Sequence, residues 1–141
     1  MKFKALVKEV MRKDVVTIDM DSSIKDAAKL MKNHRIGSLV VTGLKKIKGI
    51  LTAEDIVYKH VADSSGSKVG QIMSSEIITI QPSKSIEEAS NLMVKYKIKK
   101  LPVMEGDRII GIITASDILR VEPVLYDTLL ETLKIGGKSL K

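Results

Sequence analysis

Two residues able to do chemistry stand three apart where an apolar run is interrupted: Thr114 and Asp117 in "GIITASDIL" (111–119). The same pair recurs as Thr52 and Asp55 in "GILTAEDIV" (49–57). A carboxylate so placed can accept two hydrogen bonds from a vicinal diol such as a ribose carries, each charge-assisted bond being worth about 1.5–3 kcal/mol net. A helix start explains the pattern equally well, since a threonine N-cap with an acid three residues on is close to a capping box. Recurrence does not separate the two readings, because duplicated structure duplicates its caps. Place favours a ligand: a strand ends where a helix begins, backbone N–H groups point outward, and an anion is welcome there.

A second cluster is "KIKKLPV" (97–103), in which Lys97, Lys99 and Lys100 precede an apolar strand beginning at Leu101. These lysines form either a solvated basic turn or point charges that reach a phosphate. Pro102 within the strand marks an edge or the start of pairing. Arg35, Gly37 and Ser38 hold the corresponding places in the first half, so the two halves are not equivalent as anion sites. His34 and His60 stand alone, without a partner at the spacing of a triad or a metal set. Gly49 and Gly111 form no phosphate-cradling loop. With no cysteine there is no disulfide, thiolate zinc site or thiol nucleophile. No enzyme activity, metal or obligatory cofactor is therefore expected. The net charge of +7 sits mainly in residues 1–62, which carry 13 Lys or Arg against 7 acids, compared with 11 against 10 in residues 63–141. Such a field attracts phosphate-bearing partners without telling a nucleotide from a nucleic acid. Three tyrosines, one phenylalanine and no tryptophan leave little on which single-stranded bases could stack.

The elements that position these residues come twice. Residues 11–57 align with 73–119 at a constant offset of 62 without a gap, 18 of the 47 positions being identical. Two copies of one module that complete a common core are the expectation. "VVTI" (15–18) and "IITI" (77–80) read as strands ending at turn-prone "DMDSS" and "QPSKS". Each is followed by a helix capped by Ser23 or Ser85, with Ile24, Ala27, Ala28 and Met31, or Ile86, Ala89, Leu92, Met93 and Tyr96, on one face. Two more strands joined by a hairpin, and a last helix from Thr52 or Thr114, complete a β-α-β-β-α unit of α+β class. The division expected is 1–62 for the first repeat with its lead-in, 63–68 for a polar linker, 69–122 for the second repeat, and 123–141 for a further helix and frayed tail. That helix, over 123–134, carries Leu125, Leu129, Leu130 and Leu133 on one face. No apolar stretch approaches a membrane span and the amino terminus is too polar for a secretory signal, so a cytoplasmic protein with no membrane partner is expected.

In this order and spacing, each copy resembles a CBS (cystathionine β-synthase) domain, and the tandem resembles the pair called a Bateman module. The resemblance covers residues 7–121. It rests on "VMRKDVVTIDMDSSIKDAAKLMKNHRIGSLVV" with "KGILTAEDIV", and on "IMSSEIITIQPSKSIEEASNLMVKYKIKKLPVM" with "IIGIITASDIL". It implies two units packed about a pseudo-twofold axis, with clefts between the repeats that hold AMP, ADP, ATP or S-adenosylmethionine. By motif it nominates Asp55 and Asp117 for the ribose hydroxyls and Thr52 and Thr114 beside them. Val16, Thr17, Ile78 and Thr79 would line the base pockets with Leu39, Val40, Leu101 and Pro102. Lys99 and Lys100 would contact phosphate, Ser38 and Gly37 standing in their places in the first copy, where Val40 also replaces the strand proline. The function implied is a stand-alone regulatory ligand sensor, a homodimer, signalling to an unidentified partner protein. The alternative is a basic scaffolding or nucleic-acid-associated module with vestigial clefts.

Overall fold

The computed structural model describes residues 5–130. In order these form α1 (Val7–Val10), β1 (Thr17–Asp19), α2 (Ile24–His34), β2 (Ser38–Gly43), β3 (Lys46–Thr52) and α3 (Ala53–Asp55), which runs into a π-helical stretch Ile56–Ala62. Then follow α4 (Val69–Ile72), α5 (Ile86–Tyr96), β4 (Lys100–Glu105), β5 (Arg108–Thr114), α6 (Ala115–Val121) and a 3-10 turn Pro123–Leu125. Helical geometry continues over 126–130. Leu133 and the terminal "GGKSLK" lie outside the described residues. None of the described helices is long and apolar enough to cross a membrane.

The described residues divide into two units, one of 16–77 and one combining 5–15 with 78–130. In the first, β1 pairs parallel with β2, and β2 antiparallel with β3, in the order β1-β2-β3. Ser23 caps α2 by accepting from the Asp26 N–H at 3.0 Å. The helix buries Ile24, Ala27 and Met31 against Ile18, Leu39, Val41 and Leu51, together with Val69 and Ile72 of α4. Ala28, expected on that face, is exposed. Residue 74 closes the sheet edge: Ile50 and Ser74 exchange two backbone hydrogen bonds of 2.9 Å.

The second unit is built alike, with α5 capped by Ser85 (Glu88 N–H to Oγ, 3.1 Å) and β4 paired antiparallel with β5. Its core joins Ile86, Ala89 and Met93 to Leu101, Val103, Ile113, Ile118 and to Val7 of α1. Tyr96, expected on this face, is exposed, whereas Ser90 is buried with its hydroxyl donating to the Ile86 carbonyl at 3.0 Å. Arg12 occupies the place that Ser74 takes in the other unit, exchanging bonds of 2.8 and 2.9 Å with Ile112. Here the glycines find their use: a Cβ on Gly111 would meet the Met11 sulfur and the Arg12 carbonyl, and one on Gly49 would land on the Ser74 carbonyl. Leu125 and Leu129 are buried in this same core. These two leucines of the expected stripe are therefore spent within the unit's own core.

The expected second-copy strand "IITI" does not form; only Ile80 bridges to Val103. The reason is two prolines. In the first unit the parallel ladder is extended by Val40 N–H to the Val16 carbonyl (3.3 Å) and Met20 N–H to the Thr42 carbonyl (2.8 Å). Sixty-two residues on, the donors would be Pro102 and Pro82, which have no N–H. What survives is Ile80 N–H to the Pro102 carbonyl (3.1 Å) and Met104 N–H to the Ile80 carbonyl (2.9 Å).

Candidate functional site

Strand β5 ends at Thr114 because its extended backbone (φ −115°, ψ 161°) turns there into α6, and the hydroxyl accepts the Asp117 N–H at 3.1 Å. Asp117 answers by accepting the Thr114 N–H on Oδ2 at 3.1 Å. The capping box foreseen from the spacing is thus present. Its acid does more than cap. The Asp117 side chain is 1% exposed, and its Oδ1 accepts from Arg12 Nε and from Arg120 Nη1, each at 3.1 Å. Burial alone would push this carboxyl up; the hydrogen bonds from Thr114 and Arg12, with the Arg12 charge, outweigh it and hold the group below its usual value of 3.8. The two guanidiniums are on side chains 58% and 64% exposed, so the carboxylate is buried while its counter-ions stand in water.

The first repeat repeats the cap and changes the counter-ion. Asp55 Oδ2 accepts the Thr52 N–H at 3.0 Å and Thr52 Oγ1 accepts the Asp55 N–H at 3.1 Å. Lys59, one turn along, supplies the cation at 3.1 Å and also donates to the Ile72 carbonyl at 3.0 Å. Asp55 is less enclosed than Asp117, at 16% exposure.

The lysines stand beside the cap of the second repeat. Lys100 pairs with Thr114 across β4 and β5, and the Lys99 carbonyl accepts the Ala115 N–H at 2.9 Å. Ser38 pairs with Thr52 in the same register, and the Gly37 carbonyl accepts from Ala53 at 2.9 Å. Strand alternation then divides the nominated wall residues. Leu39 and Leu101 are buried in the cores of their units, beside Val41 and Val103. Val40 and Pro102, between them in sequence, belong to the opposite strand faces and are buried too. Val16 and Ile78 are half-buried, and Thr17 and Thr79 exposed. A cavity of about 380 Å³ opens between residues 79–81 and α5, lined by Thr79, Gln81, Lys84, Glu88, Asn91 and Lys95 among others. Thr79 is the only nominated residue on its wall, so this cavity is separate from the Asp117 cluster.

Sequence reasoning missed Arg12, Arg120 and Lys59. Lys59 and Arg120 follow their aspartates by four and three residues, a spacing at which helical ion pairs form and which could have been read. Arg12 is 105 residues from Asp117, and no local signal links them. Among the described residues no group of three or more His, Cys, Asp or Glu could hold a metal.

The CBS domain family model matches residues 7–61 and 69–123. The chain is 33% identical over 114 residues to the CBS domain-containing protein YhcV of Bacillus subtilis, an alignment covering 79% of this chain and 81% of that one. It is 36% identical over 107 residues to inosine-5′-monophosphate dehydrogenase of Korarchaeum cryptofilum, covering 75% of this chain but 22% of the enzyme. Among solved structures it resembles the CBS domain pair of protein MJ0100 in complex with 5′-methylthioadenosine and S-adenosyl-L-methionine. That match has 31% identity and a TM-score of 0.77, over 83% of this chain and 94% of the other.

Proposed function

The chain belongs to the CBS domain family, with two tandem copies of the domain, and from that premise we propose that it senses an adenosine-containing ligand held at Asp117. The observation that carries this reading is the setting of that carboxylate. It is buried and held ionised, yet both cationic partners are long side chains more than half in water. Exposed partners of this kind exchange for a ligand's hydroxyls at a cost of about 0–1 kcal/mol each, while the bond from the Thr114 N–H remains. Lys99 and Lys100, adjoining the same cap, are the phosphate contacts of the proposal, and Ile78, Thr79 and Pro102 flank the base. The complex of the MJ0100 pair with two adenosine compounds supports the ligand class. Asp55 with Thr52 forms the second, weaker candidate, since Gly37 and Ser38 supply no ammonium group there.

Regulation follows if the ligand binds two states of the protein unequally. Arg12 provides a route, because a ribose at Asp117 displaces the side chain of a residue whose backbone is pinned to β5. Cytoplasmic residence, homodimerisation and signalling to another protein belong to the same proposal. Calorimetric titration with AMP, ATP, S-adenosylmethionine and 5′-methylthioadenosine tests it: at least one binds, and Asp117→Asn weakens that ligand by about tenfold or more. Failure of all four to bind overturns the reading.

A further inference from the structure

The two repeats differ in how their last helices are covered. In the second, Ala115 and Ile118 are buried in a core that also takes in Leu125 and Leu129. Sixty-two residues earlier those two leucines become Asp63 and Ser67 of the polar linker, so the first repeat has no apolar side chains in their place. Burial falls at the corresponding positions. Ala53 and Ile56 are only partly buried, and Ala28 is exposed where its counterpart Ser90 is buried. Val57 and Val61, four apart on the π-helical stretch that packs against α2, are 52% and 67% exposed. On the helix wheel Ala28 borders the buried face of α2 on the side that carries Lys25, Lys29 and Lys32, all exposed. In α5 those three places hold Glu87, Asn91 and Val94, so the basic rim belongs to the first repeat alone.

We propose that this face of the first repeat docks an acidic amphipathic helix of another protein, in the place that Leu125 and Leu129 fill in the second. The second repeat shows what such a face accepts: two large aliphatic side chains about one helical turn apart. The three lysines set the charge of the flank, where Glu or Asp of the partner meets them. The inference rests on the signalling part of the reading above and gives it a surface. Its test contains no nucleotide, so ligand binding at Asp117 and helix docking here can fail independently.

The probe is a synthetic helical peptide of alanine and glutamate with a pair of leucines at i and i+4, titrated into the full chain while amide chemical shifts are followed. It binds saturably and shifts the amides of 24–34 and 56–62, but not those of 86–96. Val57→Asp with Val61→Asp, both at exposed positions, leaves the melting temperature unchanged and weakens the peptide about tenfold or more. Lys25→Glu with Lys29→Glu weakens it too, and that loss shrinks at high salt. A peptide with serine at both leucine positions does not bind. Absence of saturable shifts overturns the inference, as does equal binding by the serine peptide or unchanged affinity in the valine variant. If the valine pair lowers the melting temperature, unchanged affinity in the lysine variant overturns it instead. So does a wild type that sediments as a dimer and becomes a monomer in the valine variant, for then a second copy of the chain covers the face.

Discussion

At Asp117 the sign of the pH dependence follows from the direction of its shift. The folded carboxyl titrates below its ordinary value of 3.8, so its contribution to stability is fully present above that value and is lost as pH falls through the folded one. The difference in unfolding free energy between wild type and Asp117→Asn is therefore constant from pH 7 to about 5 and shrinks below about pH 4 in urea titrations. Asp117→Ala also removes the acceptor of the Thr114 N–H, leaving only the Thr114 half of the capping box, and costs about 1–2 kcal/mol at neutral pH. Arg12→Gln, by contrast, costs under about 1 kcal/mol, because that side chain is mostly in water and Arg120 remains on the same oxygen. The pairing of Thr114 with Asp117 was legible from spacing alone. Its double duty was not, because the partner that completes it comes from a segment remote in sequence.

The hairpins show where local chemistry ran with the fold and against it. β4 and β5 are joined through Gly106 at φ 62°, a turn the sequence "EGDR" announces. β2 and β3 are joined by Leu44 and Lys45, both in the left-handed region at φ 52° and 64°, where a side chain is disfavoured. Leu44 is also 90% exposed, so it gains nothing from burial in the described residues. Replacing the pair by Asn-Gly relieves both positions. Leu44→Asn with Lys45→Gly raises stability by about 1 kcal/mol or more, read as a higher midpoint in denaturant. Helix caps Ser23 and Ser85 and the alternating strands were legible because each rests on neighbours in the chain. "IITI" was misread as a full strand since the prolines that cut its ladder lie on either side of it, Pro102 in the partner strand and Pro82 just beyond.

For the whole molecule, the period of 62 revealed two modules but not which lead-in each would use. Residues 5–15 precede the first repeat in sequence and pack with the second, burying Val7 completely. Residues 69–74 likewise pack on the sheet of the first. Either arrangement buries the same apolar residues, so composition and periodicity could not choose between them. Deleting residues 1–15 consequently raises amide exchange in β5 and α5 while leaving β3 protected; the opposite pattern contradicts this partition. The central claim is that a ribose diol meets Asp117, and a double-mutant cycle addresses it most directly. Affinities of AMP and its 2′,3′-dideoxy analogue are measured on the wild type and on Asp117→Asn. The account predicts that loss of the diol costs the wild type about tenfold or more and the variant almost nothing. Equal affinity of the wild type for both ligands would contradict it and leave Asp117 with the role of a helix cap alone.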